Sequence, residues 1–225
     1  MRTPQISFCF DVLSPYAWIA SKRIRAFAAR HGTALQAKPV LLGAILTHHG
    51  SLGPAELPAK RAYTWRDAHR CAAEHGLDLE GPARHPFNPL LALRACTRAA
   101  AGAEQWKVID AVFDAGWAKG ADLSDAKALR AALDAAGLDG AKILAAAVTP
   151  AAKRGLKENT LQAVNAGVFG VPSFIVKGEL FWGNDRFEHM AAFLAGDDPV
   201  DPKRIAAQLQ RPGDHRPASR VGSTG

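Results

Sequence analysis

Ser14 stands where a strand-like pattern gives way to a helix-like one, in the run Asp11-Val12-Leu13-Ser14-Pro15-Tyr16-Ala17. In α/β folds ligands gather at the carboxyl ends of strands, where a helix N-terminus offers free N–H groups and a positive dipole end. A serine before proline at a helix start is also a routine N-cap, and the two roles are compatible. A second place is Gly170-Val171-Pro172-Ser173. Proline has no N–H for a ladder, so Pro172 belongs at the first residue of a strand or on an edge, in either the trans or the cis form. The third is Gly183-Asn184-Asp185-Arg186, another strand end meeting a helix start. Its carboxylate and amide suit either a helix cap or an ammonium group.

Elements that would position these residues can be read from periodicity. Residues 5–12, QISFCFDV, carry large apolar side chains at every second position and predict a strand. Ser14-Pro15 then opens a helix with an inner stripe of Tyr16, Ala20, Ile24, Phe27 and Ala28, with Lys22, Arg23 and Arg30 toward water and Gly32 at its end. Leu35 to Leu42 predicts a second strand. From about residue 55 to 150 the chain is rich in alanine and reads as helices, near 58–75, 89–101, 104–119, 125–136 and 139–148, followed by one near 151–166. Ser173–Val176 and Glu179–Trp182, split by Lys177-Gly178, predict a hairpin, and a last helix fits 186–195, capped by Asn184 or Asp185. The reading is α/β: a discontinuous domain of residues 1–54 and 151–210, an all-helical insertion of 55–150, and a polar tail, 211–225, expected to be disordered.

Composition narrows the function classes. The 225 residues are 48% hydrophobic and 22% charged, an ordinary globular balance. Twenty-eight Lys and Arg against 21 Asp and Glu give a net charge of +7. The basic residues are dispersed, with no zinc finger or RNA-binding aromatic motif, so small anions fit better than nucleic acid. Cys9, Cys71 and Cys96 are too few and too scattered for a disulfide framework, which points to a reducing compartment. No run approaches the roughly 20 apolar residues of a membrane span, and the first residues do not form a secretory signal. A cytoplasmic protein is expected. No Cys or His pair has zinc-ligand spacing, so no metal is expected either.

The ordered set FxFDxLSPYA, PAKRAYTWRD, HPFNPLLALR, GVFGVPSF and FWGNDR resembles the 2-hydroxychromene-2-carboxylate isomerases, relatives of the kappa-class glutathione transferases and, further off, of disulfide oxidoreductases. The resemblance runs over most of residues 5–195. It implies a thioredoxin-like fold with a helical insertion, a cis bond at Val171–Pro172, and glutathione as cofactor with its sulfur opposite Ser14. Where redox relatives have C-x-x-C, this chain has Ser14 and Ala17, so dithiol exchange there is impossible and the thiol comes from outside. The implied role of Ser14 is to donate a hydrogen bond to that sulfur, with the helix N-terminus drawing its pKa down from about 8.5.

By the same resemblance Val171, ahead of Pro172, holds the tripeptide as an added strand, while Asn184 and Asp185 take its γ-glutamyl end. Lys60 meets the glycyl carboxylate or the substrate; as a residue it equally fits a solvated lysine in a first helical turn. Asn88 lines the aromatic substrate or caps a helix. One departure is Ser51, where kappa-class relatives commonly carry Asn. The implied activity is glutathione-dependent isomerisation of 2-hydroxychromene-2-carboxylate to trans-o-hydroxybenzylidenepyruvate in aromatic hydrocarbon catabolism, through reversible thiolate addition, bond rotation and elimination. Alternatives are a kappa-like transferase or a non-catalytic peptide-binding module. Relatives imply a homodimer, for which the sequence presents no seam.

Overall fold

The computed structural model describes residues 3–213, so most of the predicted tail, residues 214–225, lies outside the described residues. Strand β1 (Gln5–Phe10) lies between β2 (Ala34–Pro39), to which it is parallel, and β3 (Ser173–Val176), to which it is antiparallel. Strand β4 (Glu179–Trp182) completes the order β2-β1-β3-β4. The hairpin falls where the sequence places it. Lys177 and Gly178 both have positive φ, 51° and 89°, the conformation a two-residue turn of primed type demands.

Alternation along β1 sends its side chains to two different cores. Ile6, Phe8 and Phe10 face one side, where Phe8 stacks on Phe10, Phe174 and Trp106 at 5.2, 5.4 and 6.2 Å between centroids. Helices α1 (Pro15–Arg30), α6 (Gln105–Trp117) and α10 (Phe187–Ala195) cover that face. Cys9 faces the other side, against Ile45 of α2 (Leu42–His48) and Ala163 of α9 (Pro150–Asn165). Between β2 and β3 the chain is helical: α3 (Pro58–Glu74), α4 (Leu90–Ala95), α5 (Arg98–Ala101), α6, α7 (Ala126–Ala135), α8 (Gly140–Ala147) and α9. Among the described residues no helix is long and apolar enough to cross a membrane.

Several expectations are corrected. The second strand ends at Pro39, and Leu42 opens α2, which periodicity did not reveal because a short apolar run reads equally as strand or helix. Residues 89–101 form two helices, since Thr97 is extended and its hydroxyl accepts from Ala100 N–H, starting α5. Of the predicted stripe Ala20, Ile24, Phe27 and Ala28 are buried and Tyr16 is half-buried; Ala17, Trp18, Ile19 and Ser21 are buried as well, and α3 and α6 pack on α1. Arg23 does not face water: it donates to the Asn184 carbonyl at 2.9 Å and lies 4.1 Å over the Phe187 ring. Helix α10 is entered from Arg186 with no side-chain cap, so neither Asn184 nor Asp185 caps it. A further helix, α11 (Pro202–Leu209), is capped by Asp201.

Candidate functional site

The turn between β1 and α1 is held at each of its four carbonyls and at the Leu13 and Ser14 N–H groups. Asp11 has no exposed surface; its Oδ1 accepts from Leu13 N–H at 3.0 Å and its Oδ2 from Leu42 N–H at 2.8 Å, tying the turn to the start of α2. Asp11 O accepts from Ser14 N–H at 3.1 Å. The Val12 carbonyl receives the Trp117 indole N–H at 2.9 Å, and the Leu13 carbonyl receives Nε2 of His85 at 2.9 Å. Ser14 O accepts from Ala17 and Trp18 N–H, starting the helix. Burial pushes the Asp11 pKa up to about 6, and its two backbone donors offset only part of that.

Ser14 is buried and extended, and its hydroxyl oxygen accepts from Ala17 N–H at 3.1 Å, the N-cap bond. Its proton is directed at the Val171 carbonyl, 157 residues away, at 3.5 Å. That length is at the far limit of a hydrogen bond, so the proton is free to turn to a stronger acceptor. Val171–Pro172 is cis. The Pro172 carbonyl accepts from Gly183 N–H at 3.0 Å, which draws the β4–α10 turn alongside. Ser14, Val171, Pro172 and the 183–185 turn therefore meet at one end of the sheet.

The remaining predicted residues are placed less tightly. Asn184 is buried, its carbonyl engaged by Arg23 and its amide facing the Cys71 thiol, while Asp185 is largely exposed and pairs with Arg186 at 2.9 Å. Lys60 is exposed in the first turn of α3. Asn88 is exposed and its side chain accepts from Leu90 N–H at 3.1 Å, an Asx turn ahead of α4, whose N-cap is Pro89 with no side-chain bond, so Asn88 does not cap the helix. Ser51 is exposed beyond α2.

Residues the sequence did not single out complete this end of the fold. Asp67 on α3 collects the hydroxyls of Tyr16 at 2.7 Å and Tyr63 at 3.3 Å, pinning α3 against the first turn of α1. Trp65, His85 and Trp117 form an aromatic wall, with centroids 5.6 to 5.9 Å apart. Gly81 backs that wall; with φ +87° and a would-be Cβ 2.7 Å from the Trp65 ring, only glycine fits there. No sequence signal marks His85 or Trp117 as partners of the turn, because both bonds go to carbonyls far along the chain. Asp11 had one: aspartate two residues ahead of an N–H is the Asx-turn pattern. Trp117→Phe is expected to cost about 1 to 2 kcal/mol, by leaving the buried Val12 carbonyl unpaired, as read by denaturant unfolding.

The chain's own thiols stay clear of the chemistry. Cys9 and Cys96 are fully buried and Cys71 half-buried, all free. Burial pushes the Cys9 thiol up to about 12 and raises those of Cys96 and Cys71, the last also through the Asp67 carboxylate.

A thioredoxin sheet with helices on both faces and a serine at the β1–α1 turn defines the class, and the DSBA-like thioredoxin domain model matches residues 5–195. The chain belongs to that family. Within it, the chain is 28% identical over 194 residues to a 2-hydroxychromene-2-carboxylate isomerase of Sphingobium xenophagum, covering 85% of this chain and 98% of that protein. It is 27% identical over 222 residues to glutathione S-transferase kappa 1 of Homo sapiens, covering 88% and 93%. A solved 2-hydroxychromene-2-carboxylate isomerase superposes with a TM-score of 0.76 at 26% identity, over 92% of this chain and 100% of that one.

Proposed function

We propose that this chain is a glutathione-dependent isomerase that interconverts 2-hydroxychromene-2-carboxylate and trans-o-hydroxybenzylidenepyruvate, working in the cytoplasm in the breakdown of aromatic hydrocarbons. The observation that carries the reading is the Ser14 hydroxyl, anchored as acceptor by Ala17 N–H and only weakly engaged as donor, 3.5 Å from the Val171 carbonyl. A hydroxyl has one proton to give and two lone pairs. The N-cap bond therefore leaves that proton for a ligand.

Glutathione, when bound, supplies a thiolate nucleophile and is returned unchanged. Ser14 donates to its sulfur, and the N-terminus of α1 adds its dipole, both favouring the anion. The Val171 backbone lies beside Ser14 and ahead of β3, where an extended peptide adds as a strand. Asp185, exposed on the neighbouring turn, suits an ammonium, and Lys60 suits a carboxylate of the tripeptide or the aromatic acid. Asn88 stands just ahead of α4 with its amide N–H groups left over after the Asx-turn contact, and we assign it to the substrate.

The test is to mix protein, chromene acid and glutathione and follow both the isomer ratio and free thiol. Approach to equilibrium with thiol conserved supports the isomerase. Stoichiometric loss of thiol, with turnover of a chromogenic electrophile, would replace it with a transferase like the kappa-class relative. Binding of extended peptides without glutathione affinity would leave only a binding module. Lys60→Met is expected to raise the glutathione Kd about tenfold, the cost of one charge-assisted contact, by calorimetry. An unchanged glutathione Kd with a raised KM for the chromene acid assigns Lys60 to the substrate instead, and with neither changed Lys60 is removed from the site.

A further inference from the structure

We propose that His85 is a positioning residue for the Ser14 turn, held as the neutral Nε2–H tautomer, an inference that rests on the reading of Ser14 as the sulfur's donor. His85 lies in the segment between α3 and α4, and its Nε2 is 2.9 Å from the carbonyl of Leu13, the residue ahead of Ser14. A carbonyl only accepts, so Nε2 carries the proton. Nδ1 is buried with no partner, beside the rings of Trp65 and Trp117. A proton there would find no acceptor, and burial together with the Arg61 charge lowers the imidazole pKa.

The ring is flanked by two indoles, and the residue's backbone is tied as well. Trp65 and Trp117 meet it edge to face at 5.6 Å, and Arg61 donates to its carbonyl at 3.2 Å. Trp117 at the same time grips the neighbouring Val12 carbonyl. Two ring N–H groups thus clamp two consecutive carbonyls just before Ser14. Such a clamp sets the direction of the Leu13–Ser14 peptide, and with it where the serine hydroxyl and the N-terminal end of α1 point. Placement within a few tenths of an ångström is what a preorganised donor requires.

Two replacements separate the donor from the ring. His85→Phe keeps an aromatic body in the wall and loses the N–H; His85→Gln keeps an amide N–H at nearly the same reach. The first readout is the isomerase rate, where His85→Phe is expected to lower kcat about tenfold with the glutathione Kd within twofold, and His85→Gln to stay within about threefold of the parent. The second does not depend on glutathione. In a Ser14→Cys background, the pH dependence of alkylation at position 14, read by mass spectrometry of that peptide, gives the pKa of a thiol held at the helix N-terminus. His85→Phe is expected to raise it by about one unit, tenfold less thiolate at a fixed pH, and His85→Gln to restore it. A purely structural role would lower the unfolding midpoint and leave that pKa and kcat in place. An unmoved pKa and kcat in His85→Phe overturns the inference, as does His85→Gln matching His85→Phe. A parent protein without glutathione-dependent turnover overturns the isomerase reading, while the alkylation series still decides His85.

Discussion

Ser14→Ala is expected to lower kcat of the isomerisation by about 10²-fold while changing the glutathione Kd only a few-fold, the signature of a donor that matters where charge develops. The variant also loses the N-cap of α1, an acceptor for Ala17 N–H, at a cost of about 1 kcal/mol in folding. Unfolding curves separate that cost from the catalytic one, since a domain weakened by this amount is still folded at assay temperature. The ultraviolet absorbance of bound thiolate supplies the direct check. In wild type the thiol should ionise below its free value of about 8.5, and in Ser14→Ala it should move back toward it. A variant with normal turnover would mean that the helix terminus alone ionises the thiol.

The second large effect is on stability and runs through Asp11. Its pKa stands at 3.8 in ordinary surroundings and at about 6 here, raised by burial. A raised acid pKa means that the folded chain holds the proton more tightly than the unfolded one. The stability this gives is full below pH 4 and is lost as pH climbs through 6. Between about pH 4 and pH 7 this one carboxyl is expected to remove about 2 kcal/mol. Asp11→Asn cannot ionise, but its amide turns a donor toward one of the two N–H groups of Leu13 and Leu42, so it is destabilised in acid. The gap between wild type and Asp11→Asn should therefore narrow by about 2 kcal/mol from about pH 4 to pH 7, in denaturant titrations at several pH values. His75, His85 and Asp110, whose pKa values are also displaced, are common to both proteins and cancel in the comparison. Parallel stability curves would show that Asp11 keeps an ordinary pKa in the fold.

How legible this protein was in its sequence depended on the range of each interaction. The starts of α7 and α8 follow from Asp125 and Asp139 side chains that bond within three residues, and the hairpin from the two adjacent residues Lys177-Gly178 that take positive φ; such signals are written locally. The α/β class was legible for a related reason, since strand and helix periods alternate at both ends of the chain, whereas its thioredoxin-like character came from the family resemblance of the motifs. Helix α2 was missed because its start is set by Asp11, 31 residues earlier, accepting from Leu42 N–H. Arg23 was misplaced because the carbonyl that buries it belongs to Asn184. At the site, Ser14 and the 171–172 step stood out by type and position, whereas His85 and Trp117 bond only to distant backbone and gave no pattern to read.

The carbonyls of Val12 and Leu13 are gripped by side chains from the helical half of the molecule, not from the sheet half that carries Ser14. If the proposed function holds, a chimera that exchanges that part of the chain to change which acid is taken would import a foreign grip on the serine turn along with it. Retaining the tryptophan and the imidazole in the transplanted segment is then a condition for inheriting the reactivity, whatever ring system the graft was chosen to admit.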